Sequence, residues 1–271
     1  MLSIDVAIST HKPEGIARVV EMLPSQKEGV NYIVSWQEHD ETPIPSEILQ
    51  RSDIKVYRLD KKGLSNNRNN AINHCRGDII LIADDDLEYY NDFDIKIRKA
   101  FQEDNSLDLA LFKVKYSKTK NYPENSCHLN YPLPKNYYAA SVEIAFRRKK
   151  LPKLRFWEKM GLGNPLLSCG EDELFVAAAV KQGKTCYFIN ETIASHPHST
   201  TGEAANPGIL RAQGFLTKAI YPFSAFLRIP LKAIRLKKNI NYSLWKSLKY
   251  LSKGALLKTR LWNTIPPEDR W

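Results

Sequence analysis

The chain has 271 residues, with 43% hydrophobic and 26% charged residues. That is room for one large domain or one domain with an appendage, and ordinary globular usage excludes collagen-like, mucin-like and wholly disordered chains. The net charge of +10 is localised: residues 204–267 hold 12 of the 40 Lys and Arg and none of the 30 acids. A neutral body with a basic tail points to a polyanionic partner for the tail alone, a membrane face or nucleic acid. Cys75, Cys127, Cys169 and Cys186 form no C-x-x-C pair, as expected of reduced cytosolic thiols. MLSIDVAIST has no basic leader region and no stretch reaches the apolar length of a membrane span, so a peripheral rather than a crossing protein is expected.

In chain order, Ile4–Thr10 reads as a β-branched strand, and Ile16, Val19, Val20 and Leu23 follow at helical spacing. Tyr32–Trp36 and Ile54–Leu59 read as further strands. Residues 65–74 form a polar helix started by a Ser65 cap, and Ile79–Ala83 is a short, wholly apolar run suited to a strand buried on both faces. This alternation predicts an α/β domain on a mainly parallel sheet. Leu111–Tyr116 and Ser141–Arg147 are strand-like, separated by a Tyr- and Pro-rich stretch of the kind usually functional or mobile. Residues 171–182 read as a helix ending at Gly183, and Cys186–Ile189 as a last short strand.

Asp84-Asp85-Asp86 directly follows the apolar run. Ligands of open α/β sheets bind beyond the carboxyl ends of strands, and three adjacent carboxylates repel one another unless a cation offsets them. Asp84 and Asp86 can point to one side of an extended segment, and their hard oxygens suit Mg²⁺ or Mn²⁺ completed by substrate phosphates.

On IDVAISTHKP, GLSNNRNNAINHCRGDIILIADDDL and GLGNPLLSCGEDELFVAAAVKQG, the chain resembles the family 2 glycosyltransferases over roughly residues 3–200. The resemblance implies the GT-A fold, a Rossmann-like sheet flanked by helices over residues 1–205, with 206–271 as a basic helical extension. It implies transfer of a sugar from a nucleotide-diphosphate donor to a glycan or lipid-linked acceptor, with a divalent metal held by Asp84 and Asp86. Its nucleotide contacts fall on Thr10, His11, Pro13 and Arg68, with Asp84 and Asp85 on the donor side. Where many relatives carry two acids after the second strand, this chain has Trp36-Gln37-Glu38; Gln37 can pair with a base edge, which leaves the nucleotide open. The E-D position of the family implies Asp172 as the base of an inverting transfer, with Glu171 supporting the acceptor. Among GT-A enzymes a late histidine can complete the metal shell; His196 and His198 follow the last strand, His196 being preferred.

In the tail, Leu244, Leu248, Leu251 and Ala255 share a helical stripe opposite Lys246, Lys249 and Lys253. Upstream, Phe215, Ile220, Phe223, Phe226, Leu227 and Leu231 interleave with Lys218, Arg228, Lys232 and Arg235, and Pro222 and Pro230 divide them into short helices. This describes an interfacial helical segment on an anionic membrane, or a subdomain packed on the catalytic domain with a basic outer face. Residues 117–138, with their tyrosines, could stack on sugar rings or order over the donor. Nucleotidyl transfer is the alternative chemistry, but STHKPEGIARVV lacks a Gly-rich phosphate loop. A non-catalytic nucleic-acid-binding module lacks any accompanying recognition motif.

Overall fold

The computed structural model describes residues 1–134, 137–196, 206–240 and 242–261. The first strand, β1 (Ile4–His11), is followed by α1 (Lys12–Met22), β2 (Val30–Gln37), the single-turn α2 (Ser46–Leu49), β3 (Ile54–Leu59), α3 (Leu64–His74) and β4 (Ile79–Asp84). These four strands run in the order β3-β2-β1-β4 and every pairing is parallel. The predicted alternation of strand and helix is therefore realised.

The second half comprises β5 (Glu88–Tyr89), α4 (Phe93–Glu103), β6 (Leu109–Tyr116), β7 (Cys127–His128), β8 (Ile144–Arg147), α5 (Glu171–Lys181) and β9 (Cys186–His196). It continues the nine-stranded sheet as β8-β6-β9-β5, with β8 antiparallel to both β4 and β6. The α4 helix escaped the sequence reading, although Phe93, Ile97 and Phe101 mark its buried face.

Period-two alternation divides the core between the two faces of the sheet. From β4, Ile79, Leu81 and Ala83 join Ile16 and Val19 of α1 and Phe101 of α4, while Ile80 and Ile82 join Ala71 and Ile72 of α3 and Phe175 of α5. The run that was read as buried on both faces is so.

Four local expectations are corrected. Ser65 does not cap α3; the N-cap is Gly63, and the Ser65 hydroxyl donates to the Met160 carbonyl at 2.6 Å. The strand expected over 141–147 opens with a 3₁₀ turn at Ser141–Glu143, which turns the Glu143 carboxylate back toward the Ala140 N–H. The last strand extends to His196, so that residue ends a strand instead of following one. Pro230 lies inside a continuous helix: both it and Phe226, whose carbonyl its missing N–H would have met, are exposed to water.

Three helices close the chain, α6 (Pro207–Ile220), α7 (Ala225–Ile240) and α8 (Leu244–Leu261). Phe215, Leu216, Ala219 and Ile220 of α6 pack with Leu174 and Ala177 of α5 and with Trp157 and Met160. The two residues without side chains, Gly214 and Gly254, let α6 and α8 cross in backbone contact; a Cβ at either would collide with the carbonyl of Leu251 or Arg211. The stripe Leu244, Leu248, Leu251 and Ala255 faces Ala225, Ile229 and Ala233 of α7. It is thus a packing face, as the packed-subdomain reading has it and the interfacial reading does not.

Candidate active site

Parallel strands β1, β2, β3 and β4 all direct their carboxyl ends to one rim, where they finish at His11, Gln37, Leu59 and Asp84. Behind the rim lies α3, whose sequence LSNNRNNAINH is polar and yet buried from Ser65 to Asn69. Burying such groups is tolerable only when each finds a partner. The Asn67 amide donates to the Thr10 carbonyl at 2.8 Å, Asn70 to the Ser35 hydroxyl at 2.8 Å, and Asn69 exchanges two bonds with the backbone of Phe156. These tethers fix the helix against β1 and β2 and aim Arg68 into the rim.

Arg68, 3% exposed, is the centre of the site. One terminal nitrogen donates to Asp172 at 2.9 Å and Glu171 at 3.1 Å, the other to Asp84 at 3.1 Å, and the guanidinium lies over the Phe156 ring. Asp84 of the acidic triplet and the E-D pair of α5 are therefore brought together, as the sequence reading required, but through an arginine assigned to the nucleotide.

One cation faces three carboxylates, and burial together with the excess negative charge is felt in the titration of the E-D pair. Burial, with the Asp172 charge, raises Glu171 to about 7 against the pull of Arg68. Burial also raises Asp172, opposed by Arg68 and by the Ser141 backbone N–H and assisted by Asp84. Arg68 stays protonated, since its three anionic neighbours outweigh its burial.

Asp85 points elsewhere. It accepts from the Thr10 hydroxyl at 2.5 Å and from Arg18 at 2.9 and 3.2 Å. A Cβ on Gly15 would strike both Thr10 Oγ1 and Asp85 Oδ2, so only glycine admits this approach of α1. The structure thus places Thr10 and Asp85, both expected at the donor, in a brace between β1, α1 and the triplet. Neither Arg18 nor Gly15 stands out in the sequence for that role.

Asp86 lies with its carboxylate 3.4 Å from His196 Nε2, and the imidazole stacks on Tyr116 with ring centres 5.7 Å apart. Two of the three expected metal ligands are therefore adjacent. Asp84, the third, has a half-buried carboxylate turned to Arg68, and among the described residues no group of three or more His, Cys, Asp or Glu side chains stands ready around one point. In kind, two carboxylates and an imidazole fit Mn²⁺ or Mg²⁺. His198 lies outside the described residues.

Past the ends of β1, β2 and β3, a cleft of about 580 Å³ is lined by Pro13, Glu38, His39, Asp40, Asp60 and Lys62, among others. Of the expected donor contacts, Pro13 lines it, and exposed His11 ends the adjoining strand β1. Gln37 is buried, and its amide nitrogen donates to the carbonyls of Lys61 and Gly63, away from a base-reading pose. Glu38, Asp40 and Glu41, all at positive φ, line the cleft together with Glu14 and Asp60. Lys62 pairs with Glu38 at 2.6 Å and holds its carboxyl below the usual range.

The tyrosine-rich stretch folds inward. Hydroxyls of Tyr122, Tyr137 and Tyr116 donate to the fully buried Glu143 at 2.6, 3.0 and 3.2 Å, and Lys120 meets the same carboxylate at 2.5 Å. Tyr131 donates to the Glu173 carbonyl at 3.1 Å. Only Tyr138 among these tyrosines is exposed, its ring 4.1 Å from the Lys120 ammonium.

The family model for glycosyl transferase family 2 matches residues 12–159, over half of the chain. The protein belongs to that family of glycosyltransferases, and its sheet and flanking helices are the GT-A fold. Among solved structures it is similar to S. aureus TarS 1–349 in complex with UDP-GlcNAc, at 16% identity over 89% of this chain and 74% of that one with a TM-score of 0.60. TarS 1–349 alone matches at 14% identity over 95% and 71%, with a TM-score of 0.57, and intact TarS at 16% over 89% and 44%, with a TM-score of 0.59. At such identities the likeness is one of fold. A search of curated proteins gave no match.

Proposed function

We propose that this glycosyltransferase moves a sugar, with inversion, from a nucleotide-diphosphate donor to the hydroxyl of a glycan or lipid-linked acceptor. The observation that carries the reading is the single guanidinium of Arg68 shared by Asp84, Glu171 and Asp172, which joins the donor side of the rim to a carboxylate able to accept a proton. The acceptor oxygen attacks the anomeric carbon as its proton passes to Asp172, and the bond from that carbon to the diphosphate oxygen breaks, leaving a nucleoside diphosphate. Asp172 must be ionised to act; Arg68 favours its charged form, while burial keeps it basic. Glu171, beside it, supports acceptor placement.

Asp84, Asp86 and His196 would hold Mn²⁺ or Mg²⁺, which when bound offsets charge on the diphosphate. The nucleoside would occupy the cleft by Pro13, His39 and Asp40. The TarS complexes with UDP and UDP-GlcNAc make a UDP-sugar the first donor to test. With its basic tail, the enzyme would work peripherally at the cytoplasmic face of the cell membrane, in surface polysaccharide or glycolipid synthesis.

The reading is tested by screening nucleotide-sugars for release of nucleoside diphosphate with and without Mn²⁺. Turnover of one donor that rises with Mn²⁺ is expected; no turnover of any donor, in the presence of acceptor extracts, overturns it. Nucleotidyl transfer would instead release pyrophosphate from a nucleoside triphosphate.

A further inference from the structure

Helix α7 has two unlike sides. Ala225, Ile229 and Ala233 are buried against Leu251 of α8. On the far side, Phe226, Leu227, Leu231 and Ile234 are 71, 58, 64 and 55% exposed, and Phe223 just before the helix is 93% exposed. Spacings of four, three and one residues place them on one continuous face. Isolated exposed apolar residues are commonplace, but a contiguous patch of this kind marks a contact surface.

Exposed Arg228, Arg235, Lys237 and Lys238 flank the patch, and no acid occurs anywhere from 204 to 267. Pairing two copies of such a face would bring cation against cation. Nucleic acid would satisfy the cations but leave Leu227, Leu231 and Ile234 without an apolar partner. An anionic bilayer satisfies both: side chains enter the acyl boundary and cations meet the headgroups. No described helix is long and apolar enough to cross that bilayer.

The same helical tail reaches the catalytic segment: α7 packs on α8, α8 crosses α6 at Gly214 and Gly254, and Leu216 of α6 lies against Gly170, next to the E-D pair. Lys232 is half-buried. It is thus withdrawn from the outer face, contrary to the sequence reading that grouped it with the interfacial cations.

We propose that the outer face of α7, led by Phe223, seats on an anionic lipid bilayer and thereby presents the Asp172 segment to an acceptor hydroxyl carried by a lipid. The docking stands on the surface alone; the acceptor class rests on the transferase reading above.

The 271-residue chain is sedimented with phosphatidylcholine vesicles with or without phosphatidylglycerol. Binding stronger by roughly tenfold or more on the anionic vesicles is expected. Phe226→Ser with Leu231→Ser should lower that binding by about the same factor, with melting and circular dichroism unchanged because both side chains face solvent. Equal binding to both vesicles, or unaltered binding by this variant, overturns the docking. So does self-association abolished by the variant, or displacement of vesicles by equimolar RNA.

For the acceptor, a panel of radiolabelled nucleotide-sugars is incubated with vesicles of total bacterial lipid. Label in the organic-extractable fraction, lost in the Phe226→Ser, Leu231→Ser variant while donor turnover in solution persists, supports the proposal. Label confined to water-soluble product overturns the acceptor class and leaves the docking standing. Absence of turnover with every donor counts against the transferase reading, and vesicle binding is read independently of it.

Discussion

Arg68 and Asp172 meet at 2.9 Å across 104 positions of sequence. Through the other nitrogen of Arg68, the carboxylate proposed as base is bound to the fate of Asp84. Arg68→Met should leave three carboxylates crowded without a cation, and removing one partner of such a buried cluster costs about 3–5 kcal/mol. Arg68→Lys should retain the fold but lose the fork that spans Asp84 and Asp172, so transfer should fall by roughly 10² or more. Melting temperatures and transfer rates for the two variants check this; full activity in Arg68→Lys would show that the span is not needed.

Asp172→Asn keeps shape and removes the proton acceptor. Donor binding by titration calorimetry should match the parent, and transfer should fall by roughly 10²–10⁴. A variant retaining most of its transfer would disqualify Asp172 as base.

Glu171 ties stability to pH. Its folded pKa of about 7 lies above the ordinary glutamate value of 4.5, so between those values the folded chain holds a proton that the unfolded chain releases. The stabilisation is complete below about 4.5 and is lost as pH rises through about 7. Glu171→Gln cannot lose it. Relative to this variant, the parent should weaken by on the order of 2 kcal/mol between about pH 5 and pH 8, measured by urea unfolding. Parallel pH profiles would contradict the buried titration.

Mn²⁺ binding can be followed without turnover by the electron paramagnetic resonance of the free ion. Asp86→Asn and His196→Ala should each weaken uptake by roughly tenfold or more, since these side chains already lie side by side. Asp85→Asn should leave uptake nearly unchanged while lowering the melting temperature, because Asp85 serves the brace with Thr10 and Arg18. The reverse ranking would reassign the triplet.

Lys120 and Glu143 form another buried pair, with side chains 2% and 0% exposed. Lys120→Met should cost about 3–5 kcal/mol by stranding Glu143. Adding Glu143→Gln should return part of that loss, and thermal melts of the single and double variants give the coupling.

Much of this was legible beforehand because hydrophobic period and strand order leave direct marks. Ile79–Ala83 announced a central strand by its unbroken apolar run, and the carboxylates after it announced the rim. Asp84, Glu171 and Asp172 were named from motifs and do converge. The role of Arg68 was not visible, since a polar helix such as LSNNRNNAINH looks solvated until the tethers of Asn67, Asn69 and Asn70 are seen. Nor could sequence reveal that Gln37 turns toward a neighbouring loop while Glu38 and Asp40 reach the cleft, because the difference lies in backbone φ. The tail showed its amphipathic character but not which stripe faces inward, a question that only packing of α7 on α8 answers.

The inward tyrosines carry one last implication. Tyr116, Tyr122 and Tyr137 moor their segment to Glu143, whereas Tyr138 alone of the group looks outward. Mooring and outward display thus belong to different side chains. A change at Tyr138 therefore leaves the hydroxyl bonds to Glu143 in place.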